Sequence, residues 1–100
     1  MTDAVELMTE IVERTWRKDL SWGDRKHHAI LTLITEAAEV ADCVKKGWYS
    51  PRHDGVLNVA HLTEEIGDAF YGLIAVCREF NIHLEDAVAV VGEKLQSRYG

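Results

Sequence analysis

The stretch AILTLITEAAEVADCVKK (residues 29–46) decides the fold class of this chain. Its apolar residues recur every three or four positions from Ile30 onward, which is the spacing of an amphipathic helix. Two lysines close the pattern and Gly47 follows them, as is typical of a helix C-terminus. We therefore predict a long second helix over residues 25–46, capped at its start by Asp24.

Three further helices are predicted from the same periodicity. The first spans residues 3–18, the third runs from its cap residue Asn58 to a point near Phe80, and the fourth spans residues 84–98. Asn81 is expected to end the third helix in the left-handed conformation. On the fourth helix we expect the apolar side chains to face inward, namely Ala87, Val88, Val91 and Leu95.

No strand pattern interrupts these helices. The connection at residues 48–55 carries the turn signals Ser50-Pro51 and Asp54-Gly55. We therefore expect an all-α fold, a four-helix bundle that forms one domain over residues 1–100.

Composition excludes several classes of protein. The net charge of −6 argues against binding to a nucleic-acid polymer, which requires a basic face, although a bound metal would still allow a small polyphosphate ligand. No apolar run is long enough to span a membrane, and no signal peptide is visible. Cys43 and Cys77 fit no metal-binding spacing, so we expect two reduced thiols in a cytoplasmic protein.

The two central helices each carry one apolar stripe. On the second helix it consists of Ile30, Leu33, Ile34, Ala37, Ala41 and Val44. On the third helix it consists of Val59, Leu62, Ile66, Phe70, Leu73 and Cys77. Together with other apolar residues on both helices, these stripes exceed what one four-helix unit can cover, so we expect self-association.

Two acidic pairs, Glu36 with Glu39 and Glu65 with Asp68, carry the functional signal. Residues three apart are neighbours on a helix surface, so each pair directs two carboxylates the same way. Both pairs lie beside their stripe at the same offset, among small or neutral neighbours instead of the lysines and arginines of a solvated face. Four carboxylates brought together repel unless a cation holds them. An all-oxygen set favours Mg²⁺, with Mn²⁺ as an alternative.

Two other interpretations of the pairs are possible. Such pairs also occur as ordinary exposed glutamates on amphipathic helices. A di-iron bundle requires a histidine three residues after a glutamate on two helices, and neither Glu36 nor Glu65 has one. Gly67, between two of the acidic residues, is expected to permit close helix packing instead of touching a substrate.

In combination, Thr35-Glu36-Ala37-Ala38-Glu39-Val40 and Glu64-Glu65-Ile66-Gly67-Asp68 resemble the MazG-like branch of the all-α nucleoside triphosphate pyrophosphohydrolases. The family pattern is Glu-Glu-x-x-Glu, a long gap, and Glu-x-x-Asp. The gap fits here, as do Leu-Glu-Asp-Ala (84–87) and the ending Lys94…Arg98-Tyr99. Two positions depart from the family: Thr35 replaces the first glutamate, and Val91-Gly92 stands where a basic residue is frequent.

The resemblance implies an enzyme that hydrolyses a nucleoside triphosphate to the monophosphate and pyrophosphate with Mg²⁺, in the cleansing of the nucleotide pool. Carried over to this sequence, the metal ligands are Glu36, Glu39, Glu65 and Asp68. One of the first two is the expected acceptor of a proton from the attacking water. The resemblance also implies a homodimer or a dimer of dimers, with the site near an interface.

Further residues are candidates for contact with the substrate. Four cations at helix ends are candidates for the outer phosphates, unless they serve solubility alone: Lys45, Lys46, Lys94 and Arg98. Trp22 and Trp48 are candidates for stacking on the base, unless they pack at helix ends or in a subunit interface. His28 is a candidate for a hydrogen bond to the base or sugar.

One alternative function from a different class stays open. A non-catalytic helical module for dimerisation or regulation would bind a nucleotide or a partner protein without turnover. Thr35 leaves room for it, because degenerate relatives can keep a fold and lose activity.

Overall fold

The computed structural model describes residues 3–49 and 55–100, and these residues form helices without any strand. The helices are α1 (Asp3–Thr15), α2 (Trp22–Tyr49), α3 (Val59–Glu79) and α4 (Leu84–Tyr99). The predicted all-α, four-helix fold is therefore confirmed. The predicted turn at Ser50-Pro51 and the position of Asp54 lie outside the described residues. Among the helices of the described part, none is long and apolar enough to cross a bilayer.

α2 extends beyond its predicted ends. Ser21, and not Asp24, caps it: the Ser21 hydroxyl oxygen accepts a hydrogen bond from the Asp24 N–H at 3.2 Å, and the Ser21 carbonyl accepts one from the Arg25 N–H at 2.9 Å. Gly47 does not end the helix. It is buried, and a Cβ there would lie 3.0 Å from the Leu57 Cα. This glycine therefore makes room for the chain that returns toward α3.

The other predicted ends hold, except that α1 stops at Thr15. Asn58 caps α3, since its side-chain oxygen accepts a hydrogen bond from the His61 N–H at 3.0 Å. Asn81 adopts a φ of 55° after α3, which is the predicted left-handed terminator. α4 then begins at Leu84 as predicted.

α2 and α3 pack against each other in an antiparallel arrangement. Their contacts pair residues in reverse order along the chain: Arg25 with Glu79, Leu33 with Gly72, and Gly47 with Leu57 just before α3. α1 adds Val12 to a small core at one end of this pair. The core consists of Val12, Trp16, Ala29, Ile74 and Ala75.

Several members of the apolar stripes of α2 and α3 stay exposed in the single chain. Ile34 on α2 is 60% exposed, and Ile66 and Phe70 on α3 are 46% and 42% exposed. The buried residues of α2 lie instead on the neighbouring face, which also carries Glu36: they are Ala29, Cys43 and Gly47. The helices thus pack mainly through the face that holds the acidic residues and leave much of the more apolar face uncovered.

Apart from Leu84 at its start, which packs against the core, α4 stands away from the other helices. It has no buried residue, and Val88, Val91 and Leu95 are exposed. The expectation that these residues and Ala87 face inward is therefore wrong for the single chain, because periodicity identifies an apolar face but not its partner. The radius of gyration of 16.2 Å exceeds the value of about 13 Å for a compact chain of this length.

Gly72, and not Gly67, permits the close packing of α2 and α3. A Cβ on Gly72 would lie 2.8 Å from the Leu33 Cα, whereas a Cβ on Gly67 meets nothing within 4 Å. The expectation for Gly67 is therefore wrong.

Gly72→Ala is expected to lower the free energy of unfolding by about 1–3 kcal/mol, because the added methyl group overpacks two helix backbones. Urea denaturation at a fixed protein concentration measures this change. Gly67→Ala is the matched control on the same helix. It should leave stability unchanged or raise it by up to about 1 kcal/mol, since alanine favours a helix over glycine. Equal losses in the two variants would contradict this account of the helix contact.

Candidate metal centre

Three carboxylates from two helices meet on the packed face. Glu36 of α2 and both Glu65 and Asp68 of α3 each offer one oxygen, and these three oxygens lie within 4.8 Å of one another. The antiparallel packing of α2 and α3 brings them together, because it places Glu36 opposite the acidic pair of α3. A single divalent cation can bridge oxygens at such separations.

The electrostatics of this group favour a bound cation. Partial burial raises the pKa of Glu36, and the negative charges of Asp68, Glu65 and Glu39 raise it further. The site therefore disfavours the charge on Glu36 as long as no positive charge balances it. A hard divalent cation would provide that balance and prefers carboxylate oxygens, so the donor set fits Mg²⁺ or Mn²⁺.

Glu39 lies outside the group of three. Its side chain is exposed, and its oxygens do not fall within the 4.8 Å separation that unites Glu36, Glu65 and Asp68. It is still close enough to contribute to the raised pKa of Glu36. The structure thus brings together three of the four carboxylates that the sequence singled out.

His61 lies against the site, although no role was predicted for it from the sequence. Its Nε2 lies 2.9 Å from Oε1 of Glu65, one helical turn farther along α3. The spacing of four residues between a histidine and a glutamate on one helix was the available signal, since such residues are neighbours on a helix surface.

The candidate substrate residues near the C-terminus of α2 lie apart from the carboxylates. Lys45 and Trp48 are exposed, and they lie about 14 and 18 Å from Glu36 along the helix axis at a rise of 1.5 Å per residue. Lys46 forms a salt bridge of 2.9 Å with Asp42. The hydrogen bond within this salt bridge is the main cause of the raised pKa of Lys46. The ammonium group of Lys46 is therefore already engaged.

The candidate substrate residues near the start of α2 lie at the opposite end. Trp22 is about 21 Å from Glu36 along the axis, and the Lys26 ammonium covers one face of its ring at 4.0 Å from the centroid. His28 is half-buried, and its ring lies 5.3 Å from that of Trp16. Within one chain, His28 packs against Trp16, whereas Trp22 stays 70% exposed.

Lys94 and Arg98 lie on the exposed helix α4. Since α4 packs along neither α2 nor α3, the fold of a single chain does not bring these two cations to Glu36, Glu65 and Asp68.

A second charged cluster joins the far ends of α2 and α3. The buried carboxylate of Glu79 contacts Arg25 and Lys26 at 3.4 Å each and Arg78 at 2.7 Å. Burial by itself would raise the pKa of Glu79, but the hydrogen bonds and charges of Lys26 and Arg25 outweigh it and hold the pKa below its ordinary value. Because cations already surround this carboxylate, the cluster is a structural clamp and not a metal site.

Comparison with known proteins supports one family. The family model described as MazG nucleotide pyrophosphohydrolase domain matches residues 25–100, which include α3, α4, most of α2 and all four predicted carboxylate ligands. Searches of curated proteins and of solved structures gave no significant match.

Proposed function

Since this chain belongs to the MazG nucleotide pyrophosphohydrolase family, we propose that it is a Mg²⁺-dependent enzyme that cleaves a nucleoside or deoxynucleoside triphosphate to the monophosphate and pyrophosphate. One observation carries the proposal: the carboxylate oxygens of Glu36, Glu65 and Asp68 lie within 4.8 Å of one another. Three gathered carboxylates repel a triphosphate, so they make chemical sense in such an enzyme only as ligands of a cation.

The residues of the site divide into two roles. Glu36, Glu65 and Asp68 would hold the metal, which when bound supplies Lewis acidity and neutralises the phosphate charge. Glu39 is exposed and stands outside the group of three, so its carboxylate is free to accept the proton of the attacking water. We assign Glu39 as the general base for attack on the α-phosphorus.

A second copy of the chain would complete the fold and the site. Two uncovered apolar surfaces need partners: the outward stripes of α2 and α3, with Ile34 and Phe70 exposed, and the apolar side of α4, with Val91 and Leu95 exposed. A homodimer or a dimer of dimers that joins these surfaces would also carry Lys94 of one copy toward the carboxylates of the other. There it would face the outer phosphates of the substrate.

Light scattering on the purified full chain tests this association. The expected mass is at least twice that of the 11.3 kDa chain at micromolar concentration. A monodisperse monomer across the concentration range would contradict the dimer, and with it the route of Lys94 and Arg98 to the substrate.

A substrate panel tests the reaction itself. Ordinary and modified nucleoside triphosphates are incubated with the protein and Mg²⁺, and pyrophosphate and monophosphate are both quantified. We expect equal amounts of the two products from at least one triphosphate, no product when EDTA removes the metal, and a preference for nucleotides that the cell must clear from its pool. Absence of turnover with every triphosphate, together with retained nucleotide binding, would favour the non-catalytic module instead.

A further inference from the structure

We propose that His61 is a positioning residue that fixes the carboxylate of Glu65 for metal binding by donating a hydrogen bond to its Oε1. The inference rests on the proposed metal site and adds a residue outside the ligand set. The Nε2 of His61 and the Oε1 of Glu65 lie 2.9 Å apart on the same side of α3. Hydrogen-bonded neighbours of metal ligands commonly orient those ligands.

The direction of this hydrogen bond follows from the two atoms. For the proposed hydrogen bond across this 2.9 Å contact, Nε2 must carry the hydrogen, because an ionised carboxylate oxygen can only accept. Both the neutral imidazole with its proton on Nε2 and the imidazolium ion can donate in this way.

Among the described residues, no lysine or arginine is placed to orient the carboxylate of Glu65 in place of His61. Within the described residues, no lysine or arginine forms a salt bridge with Glu36, Glu65 or Asp68. The Glu65 side chain is only 16% exposed, so water has limited access to hold it. One hydrogen bond occupies one of about four lone-pair positions of the carboxylate and leaves the others for a cation.

His61 is itself held in place at the start of α3. The backbone N–H of His61 donates to the side-chain oxygen of Asn58, which caps the helix, at 3.0 Å. The imidazole therefore projects from an ordered first turn toward the residue one turn later. This arrangement restricts the rotamers that Glu65 can adopt before the metal arrives, which lowers the entropic cost of binding.

Titration of the 100-residue chain with Mn²⁺, followed by electron paramagnetic resonance, tests the proposal without relying on turnover. In His61→Gln the amide nitrogen reaches nearly as far as Nε2 does. In His61→Asn the side chain is too short to place its amide nitrogen there, and in His61→Leu the donor is lost. We expect the Kd for Mn²⁺ to rise by about 10–100-fold in His61→Asn and His61→Leu. His61→Gln should restore binding to within about threefold of the wild type. Because the His61 side chain is 54% exposed, the melting temperature without metal should be the same in all three variants.

The possible results separate this proposal from the proposed function. Equal Mn²⁺ affinity in the wild type and all three variants would overturn the role of His61 and leave the metal site standing. Equal loss in His61→Gln and His61→Leu, or a nitrogen coupling that shows His61 bound directly to Mn²⁺, would also overturn it. A wild-type protein that binds no Mn²⁺ would overturn the proposed function as well.

Discussion

Glu65→Gln and Asp68→Asn are each expected to lower the rate of pyrophosphate release by about 10³-fold or more, since a metal ion contributes several kcal/mol to the stabilisation of charge in such reactions. Each substitution keeps the shape of the side chain and removes the negative charge of one of the three carboxylates whose oxygens lie within 4.8 Å of one another. Steady-state assays at saturating substrate and Mg²⁺ measure the effect, and Mn²⁺ titration shows whether metal binding is lost with it.

Glu64→Gln provides the matched control for these two variants. Glu64 precedes Glu65 on α3, is exposed, and is not part of the group of three oxygens. Its replacement removes the same charge and should change the rate by less than about threefold.

Glu39→Gln separates the two proposed roles, because a general base can be lost while metal binding remains. Full activity in both Glu65→Gln and Asp68→Asn would refute the metal site.

Glu79→Ala is expected to lower the free energy of unfolding by about 3 kcal/mol, because it leaves three cations at the end of the α2–α3 pair without their shared counter-charge. The Glu79 side chain is 1% exposed and contacts Arg25, Lys26 and Arg78. The loss corresponds to a fall in Tm of about 12 °C or more for a domain of this size. Thermal melting at one fixed protein concentration measures it, since association also affects Tm.

Glu13→Ala tests whether burial is the cause of this loss. Glu13 is the exposed partner of Arg78, with 3.1 Å between a guanidinium nitrogen and Oε1, and Arg78 keeps Glu79 when Glu13 is removed. The expected loss is less than about 1 kcal/mol, as for other exposed ion pairs. Similar losses in the two variants would show that the cluster does not act as a buried clamp.

The pKa of Glu79 fixes the sign of a pH effect on the same clamp. Because the folded state lowers this pKa from 4.5, the carboxylate contributes stability that is fully present above pH 4.5 and is lost as the pH falls through the lowered value. The difference in stability between the wild type and Glu79→Ala should therefore shrink below pH 4.5.

Much of the fold followed from local signals in the sequence. Asn58 and Asn81 mark the ends of α3 through local interactions. The Asn58 side chain accepts a hydrogen bond from a backbone N–H at the start of the helix, and Asn81 adopts the left-handed conformation that ends it. Gly47 misled the prediction of α2, because a glycine at a helix end and a glycine at a close helix contact look alike in a sequence. What decides between them is a tertiary contact: the Leu57 Cα lies 3.0 Å from the position that a Cβ on Gly47 would occupy.

The candidate site was predictable as a pair of acidic motifs but not as a geometry. The spacing of Glu65 and Asp68 predicted one direction for both side chains, and the structure places them with Glu36. Which face of α2 meets α3 was not predictable, because the apolar stripe with Ile34 competes with the face of Glu36 for burial. Without a partner chain, the structure buries the face with smaller residues, where Gly72 lets the backbones approach.

Hydrolysis of the preferred triphosphate in ¹⁸O-labelled water, with and without Mg²⁺, followed by mass spectrometry of both products, tests most directly whether this protein is a metal-dependent pyrophosphohydrolase. We expect metal-dependent formation of pyrophosphate without label and of a monophosphate that carries one ¹⁸O atom, because the water attacks the α-phosphorus. Release of inorganic phosphate with a nucleoside diphosphate, or equal turnover with the metal removed, would contradict it.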